Sequence, residues 1–164
     1  MLFRFVKMFV YPEYALAAVA AERLGRPVKW IADRVEHFLA DSHGRAMDSL
    51  AEMAMDAHGR FLALRIDTVA DIGAYCSEMG AWVSFAGAKL ATGCYDIPVF
   101  FTRVRGVYTN TMSVDAYRGA GRPESAYLIE RLVDACAREA GIEDRKSTRL
   151  NSSHTDISSM PSSA

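Results

Sequence analysis

The sequence predicts an α+β domain of ordinary size, and three observations carry that expectation. Stretches with helical spacing of apolar residues and stretches of strict alternation both occur, without a regular strand–helix–strand repeat. One turn, Ala57-His58-Gly59-Arg60, separates two apolar runs in the manner of a β-hairpin. Hydrophobic residues make up 51% of the 164, enough for a packed core rather than a disordered chain.

The elements follow in order. Pro12 and Glu13 suit the first turn of a helix that Gly25 stops, with Leu16, Val19, Ala20 and Leu24 as its apolar stripe. From Pro27, Val28, Trp30 and Ala32 alternate with charged residues and predict a strand; Arg34 to Arg45 reads as a polar connection. The runs L-A-E-M-A-M-D and F-L-A-L-R-I-D-T-V form the hairpin over residues 50–70, with Gly59 where a positive φ costs little. Met53 and Met55 lie two apart on one strand face and read as core, and His58 reads as a solvated turn residue. Glu78 to Leu90 is apolar and predicts a helix. V-F-F-T-R-V-R-G-V-Y alternates as a strand with Arg103 and Arg105 on one face. The last helix runs from about Pro123 to Ala140, with Leu128, Leu132 and Ala135 on one row and Ile129, Val133 and Cys136 on the next. There is no internal repeat.

Composition excludes several function classes. A formal net charge of -1 offers nothing for nucleic acid or an anionic membrane, and no apolar run is long enough to span a bilayer. Cys76, Cys94 and Cys136 are far apart, odd in number and in no metal-binding spacing. They read as buried, reduced thiols of a cytoplasmic protein.

Composition changes after Glu143: residues 144–164 hold seven serines, whereas the preceding 143 residues hold six. The order of residues from Asp144 to His154 resembles the translation of a short-read sequencing adapter, and Ser158 to Ala164 continues it with Ser159 as the one departure. The expected organisation is therefore a scrambled or truncated start over residues 1–7, a partial domain over 8–143, and a non-native, disordered tail over 144–164.

The chemistry-bearing segment is D-A-Y-R-G-A-G-R-P-E-S-A-Y-L-I-E-R-L, Asp115 to Leu132. A helix N-terminus offers unpaired N–H groups and the positive end of the macrodipole. Gly119 and Gly121 allow the backbone before it to gather amides into a concave nest, and Arg118 and Arg122 add side-chain donors. An anionic or oxygen-rich ligand fits this pattern, so a small anion- or nucleotide-binding module using Arg118–Pro123 is one reading. A tight turn with solvated arginines fits the same residues, and a lone G-x-G does not separate the two.

The order of several blocks points further. Val10 to Trp30, V-E-H-F at Val35–Phe38, G-C-Y-D-I-P at Gly93–Pro98 and V-Y-T-N-T-M-S-V-D-A-Y-R-G-A-G-R-P-E at Val107–Glu124 resemble the molybdopterin-binding subunit of the xanthine dehydrogenase and aldehyde oxidase family, in that family's order. The resemblance implies a partial molybdopterin-binding domain from a molybdenum hydroxylase. Such an oxidoreductase acts on aldehydes or electron-poor heterocycles with oxygen from water, and its iron–sulfur and FAD partner subunits or domains carry the electrons away. It implies that the backbone N–H of Arg118 donates to an oxygen carried by the cofactor, with Tyr117, Gly119 and Ala120 beside it. None of these residues is expected to ligate the metal directly.

The departures are specific. Where the family has a glycine-rich G-G-x-F-G-x-K loop, Met1 to Lys7 keeps only Lys7. Purine-hydroxylating relatives place a carboxylate at the position of Met8, an arginine near Ala86 and a phenylalanine at Ala120, so xanthine is not the expected substrate. Carbon monoxide dehydrogenases carry a cysteine where this chain has Gly119, so CO oxidation is not expected either. The family's general base lies downstream of this chain, and Glu36, Glu124 and Glu130 are not expected to replace it. Glu130 reads as a solvated face residue and Glu124 as a favourable charge in a first helical turn. The chain alone is expected to be inactive.

Overall fold

The computed structural model describes residues 11–142; the expected start over 1–7, the tail over 144–164, and Met8 lie outside them. Helices α1 (Pro12–Leu24) and α2 (Arg34–Ala40) come first, then strands β1 (Met47–Met55) and β2 (Phe61–Gly73). Helix α3 (Gly80–Ala88), strand β3 (Val99–Tyr108) and helix α4 (Arg122–Glu139) complete the order. The class is α+β, with four helices among the described residues where two or three were expected.

The sheet has the order β1-β2-β3. The hairpin forms as predicted: β1 and β2 pair antiparallel, with Met53 opposite Leu64 and a register shift at Ala54/Met55. Its turn is tied by Asp56, whose Oδ1 accepts from His58 N at 2.8 Å and Arg60 N at 2.9 Å. The next pairing is of the other kind, because β2 and β3 run parallel. Parallel neighbours need a crossover, and α3 lies within it. A single strand–helix–strand unit is therefore present, though it does not repeat.

Alternate residues of β2 from Leu64 through Ile66, Thr68 and Ala70 to Ile72 are buried, and α4 covers the first of them. Leu64, Ile66, Phe61, Ala91 and Tyr95 pack with Ile129 and Val133 of α4, and Met53 and Met55 sit against this cluster. Full burial of one such aliphatic side chain stabilises the fold by about 1.5–3 kcal/mol. The row Ile129-Val133-Cys136 is the buried one; Leu128 and Leu132 flank it half-buried. On the opposite face of the sheet, the Asp67 carboxylate is held by Arg103 and, at 3.1 Å, by Arg65. These guanidiniums, Arg103 first, keep its pKa below the usual aspartate value.

Three expectations need correction. Pro27–Asp33 is not a strand: it has no ladder partner, and alternation without one does not make a strand. Instead Asp33 caps α2, which occupies what was read as a polar connection. Asp33 Oδ1 accepts from Glu36 N and Glu36 Oε2 from Asp33 N, both at 2.8 Å, a capping box written as D-x-x-E. Of the cysteines only Cys136 is buried; Cys76 and Cys94 are exposed. Helix α1 does end at Gly25, whose φ is +60°. None of its residues is buried, however, and Leu16, Val19 and Leu24 face outward.

Candidate functional site

The segment leading into the 115–122 loop is fixed before the loop begins. Val114 N donates to Ile72 O at 3.1 Å, and Thr109 N to Gly73 O at 3.0 Å, against the end of β2. Asp71 ties the same segment from its side chain. It accepts from Thr109 Oγ1 at 2.7 Å, Gly73 N at 2.7 Å and Thr111 Oγ1 at 3.1 Å. These bonds, Thr109 first, hold its pKa below the usual aspartate range. On the other flank His43 N donates to Ser113 O at 3.0 Å and Asp115 N to His43 O at 2.8 Å, a parallel bridge of His43 with Val114. Ser113, Val114 and Asp115 are all buried as a result.

From that anchor the loop turns left-handed for three residues. The φ values are +96° at Gly119, +46° at Ala120 and +90° at Gly121. Gly121 has no room for a side chain: a Cβ would meet the Val83 carbonyl oxygen and lie 2.8 Å from Gly87 N in α3. A Cβ on Gly119 would run into the Pro123 ring, with Cδ at 2.5 Å. Ser125 Oγ donates to Gly87 O at 2.6 Å and fastens α4 to α3 beside this contact. Glycine is therefore needed here for close approach as well as for φ.

One side chain from outside the loop binds it at three points. Arg45 donates from Nη2 to Arg118 O at 2.9 Å, lies with Cζ 4.3 Å from the centre of the Tyr117 ring, and brings Nε to 3.4 Å from Glu124 Oε1. Residues 45 and 118 are far apart in sequence, and the His43–Val114 bridge brings them together. Within the loop, Ala120 N is used by Tyr117 O at 2.7 Å and Arg122 N by Gly119 O at 3.2 Å. Among the described residues, no acceptor meets the N–H groups of Arg118 and Gly119, nor that of Gly121, which is buried against α3. Arg118 and Gly119 are exposed, and Tyr117 is 50% exposed. The loop thus presents open amides on a backbone that cannot turn freely, an arrangement suited to oxygen atoms bearing negative charge.

Behind the loop, a cavity of about 470 Å³ lies between the sheet and the two helices, with Arg45, Ser49, Thr102, Glu124 and Ser125 among its lining residues. Two buried oxygens, Thr102 Oγ1 and Glu124 Oε2, find no partner among the described residues. Unmet polar atoms at buried positions require an explanation such as water or a ligand. No group of three or more His, Cys, Asp or Glu residues is placed to hold a metal ion among the described residues.

A family model, the molybdopterin cofactor-binding domain, matches residues 6–152. The chain belongs to this molybdopterin cofactor-binding family. It is 39% identical over 146 residues to the 6-hydroxypseudooxynicotine dehydrogenase complex subunit gamma of Paenarthrobacter nicotinovorans, covering 89% of this chain and 18% of that one. It is 40% identical over 140 residues to the carbon monoxide dehydrogenase large chain of Hydrogenophaga pseudoflava, 84% of this chain and 17% of that. Among solved structures it is similar to quinoline 2-oxidoreductase of Pseudomonas putida 86, with a TM-score of 0.83 at 34% identity over 89% of this chain and 19% of that one. The chain thus spans less than a fifth of the length of these relatives of the molybdopterin cofactor-binding family.

Tyr117, Arg118, Gly119 and Ala120 lie together on the exposed turn. Two of these four N–H groups, those of Arg118 and Gly119, are open; that of Ala120 is taken by the turn itself. The carboxylates set aside earlier all have other work. Glu36 closes the α2 capping box, Glu124 meets Arg45, and Glu130 Oε2 accepts from Tyr95 Oη at 3.0 Å, so Glu130 does more than face solvent. Arg45 was missed, since a lone arginine after H-G carries no local signal of a contact with residue 118. The D-x-x-E pattern at Asp33, by contrast, was there to be read.

Proposed function

We propose that this chain is a segment of the molybdenum-binding subunit of a molybdenum hydroxylase, and that its 115–122 loop faces the cofactor. The parent would be an oxidoreductase that hydroxylates aldehydes or N-heterocycles. The observation that carries this reading is the pair of open N–H groups at Arg118 and Gly119, held at a left-handed turn in a chain of the molybdopterin cofactor-binding family. That donor set fits an oxygen-rich anionic group. When bound, the molybdenum–pterin cofactor supplies the redox chemistry, and the inserted oxygen comes from water.

The chain's own residues bind and orient. Arg118 and Gly119 offer backbone N–H groups, and donors fixed in advance need no reorganisation when charge develops in front of them. Tyr117 and the methyl group of Ala120 flank those donors, and Ala120 leaves the space that a larger side chain would fill. No proton transfer is assigned to this chain: Glu36 and Glu130 are engaged in hydrogen bonds elsewhere, Glu124 is paired through Oε1 with Arg45, and a general base must reach the proton it takes. Iron–sulfur and flavin subunits are the proposed electron-carrying partners, and the cytoplasm the proposed location. None of the described helices is long and apolar enough to cross a membrane. The outward apolar side chains Leu16, Val19, Trp30, Ile31, Phe38 and Leu39 form the kind of surface that another part of a larger assembly covers.

A chimera tests the reading. Residues 11–142 replace the matching segment in the Hydrogenophaga carbon monoxide dehydrogenase large chain, which is expressed with its own partners. The expected product assembles and carries molybdenum and pterin at the unsubstituted level. An assembled chimera without cofactor refutes the proposal.

A further inference from the structure

We propose that Arg45 is a positioning residue for the cofactor loop, setting the direction in which the Gly119 N–H points. The proposal rests on the reading that the loop faces the cofactor. Its geometry stands on the chain alone.

The Arg118 carbonyl and the Gly119 N–H belong to one peptide unit. No peptide bond among the described residues is cis, and across a trans unit C=O and N–H point in opposite directions. Arg45 Nη2 takes the Arg118 carbonyl at 2.9 Å, so the Gly119 N–H is turned away from Arg45, toward the open side of the loop. Two further contacts keep the guanidinium from swinging with its acceptor. Its face lies 4.3 Å from the Tyr117 ring centre on one side of the peptide, and its Nε reaches Glu124 at the start of α4 on the other. One planar cation therefore spans the loop from its entry to its exit.

Arginine suits this task and lysine does not. A guanidinium offers several donors in one rigid plane and stacks on aromatic rings, whereas an ammonium is a point charge on a flexible stem. The backbone of Arg45 itself has φ +63°, uncommon for a residue with a side chain. The fold thus holds this arginine in a conformation that glycine would adopt more easily. Gly44 is tight as well: a Cβ there would lie 3.1 Å from Tyr117 Cβ, so the backbone of residues 44–45 presses directly against the loop.

The test compares Arg45→Lys and Arg45→Met with the unsubstituted protein in two settings. In the full chain, amide ¹H–¹⁵N spectra and hydrogen exchange are followed together with the melting temperature. Both variants are expected to shift the resonances of Tyr117–Gly121 while those of the strands and of the core half of α4 stay in place. A purely structural role would instead spread the changes through the fold and lower the melting temperature. In the chimera, Arg45→Lys is expected to reduce bound molybdenum about 10–100-fold, the usual cost of losing a group that orients a metal site's immediate donors, with assembly intact. Unmoved loop resonances, or molybdenum retained in both variants, overturn the proposal. Failure of the unsubstituted chimera to take up molybdenum counts against the functional reading instead, and the spectra of the chain then decide the role of Arg45 by themselves.

Discussion

Replacing Gly121 with alanine should unfasten the loop from the fold, and the size of the effect follows from two contributions. The residue has φ +90°, where an L-residue pays roughly 1–2 kcal/mol. The added methyl would also lie inside the Val83 carbonyl oxygen and 2.8 Å from Gly87 N. Neither atom can yield, since both belong to the backbone of α3. The helices must separate, and the bond from Ser125 Oγ to Gly87 O weakens with them, a further loss of about 1 kcal/mol. The total is on the order of 3 kcal/mol, which for a domain of this size lowers the melting temperature by about 10 °C. Gly25→Ala is the matched control. It too has positive φ, but no atom lies within 4 Å of its added Cβ and it caps a helix without buried residues. Thermal unfolding followed by near-ultraviolet circular dichroism reports the packed core in both variants. A Gly121→Ala melting point within about 3 °C of the parent, or a Gly25→Ala loss as large as that of Gly121→Ala, would refute the reasoning.

Other outcomes follow from the same structure. The Asp71 carboxylate has its pKa lowered in the fold by Thr109 and then by Gly73 N, so its contribution is complete above the unfolded value of about 3.9 and is lost as pH falls through the folded one. Asp71→Asn should accordingly cost stability at pH 7 and cost progressively less below pH ~4, as denaturant titrations across that range will reveal. Alkylation of the native chain should modify Cys76 and Cys94 quickly and Cys136 only after unfolding, because burial, with Glu139 nearby, raises the Cys136 pKa. Counting labelled thiols by mass spectrometry checks this. Made in a host that synthesises the cofactor, the chain alone should hold far less than one molybdenum per polypeptide. A stoichiometric metal content would point to a free-standing site.

Much of the fold was legible because it is written locally. Gly25 after a periodic stripe ends α1, Gly59 closes the hairpin, and two adjacent apolar rows between Leu128 and Cys136 mark α4 as a helix, though not which row is buried. What escaped depends on pairing across the chain. Val28, Trp30 and Ala32 alternate as a strand does, yet no neighbour offers them a ladder. The parallel seat of β3 beside β2 is a decision of topology that alternation cannot express. The glycines at 119 and 121 announced a tight turn, but only the structure explains Gly121, through the approach of Gly87 from α3. Nor does the loop sequence reveal which of its N–H groups the turn consumes: those of Ala120 and Arg122 are spent, those of Arg118 and Gly119 are open. Arg45 was illegible for the same reason, since its three contacts are made by a residue distant in sequence.

The central claim is that the 115–122 loop turns its open amides toward the molybdenum–pterin group. A crystal structure of the cofactor-loaded chimera tests it directly, through the distances from Arg118 N and Gly119 N to the nearest cofactor oxygen. The account predicts at least one such distance near hydrogen-bond length, about 2.7–3.2 Å. A loaded chimera in which both nitrogens face protein or bulk water, with the cofactor held elsewhere, would contradict it.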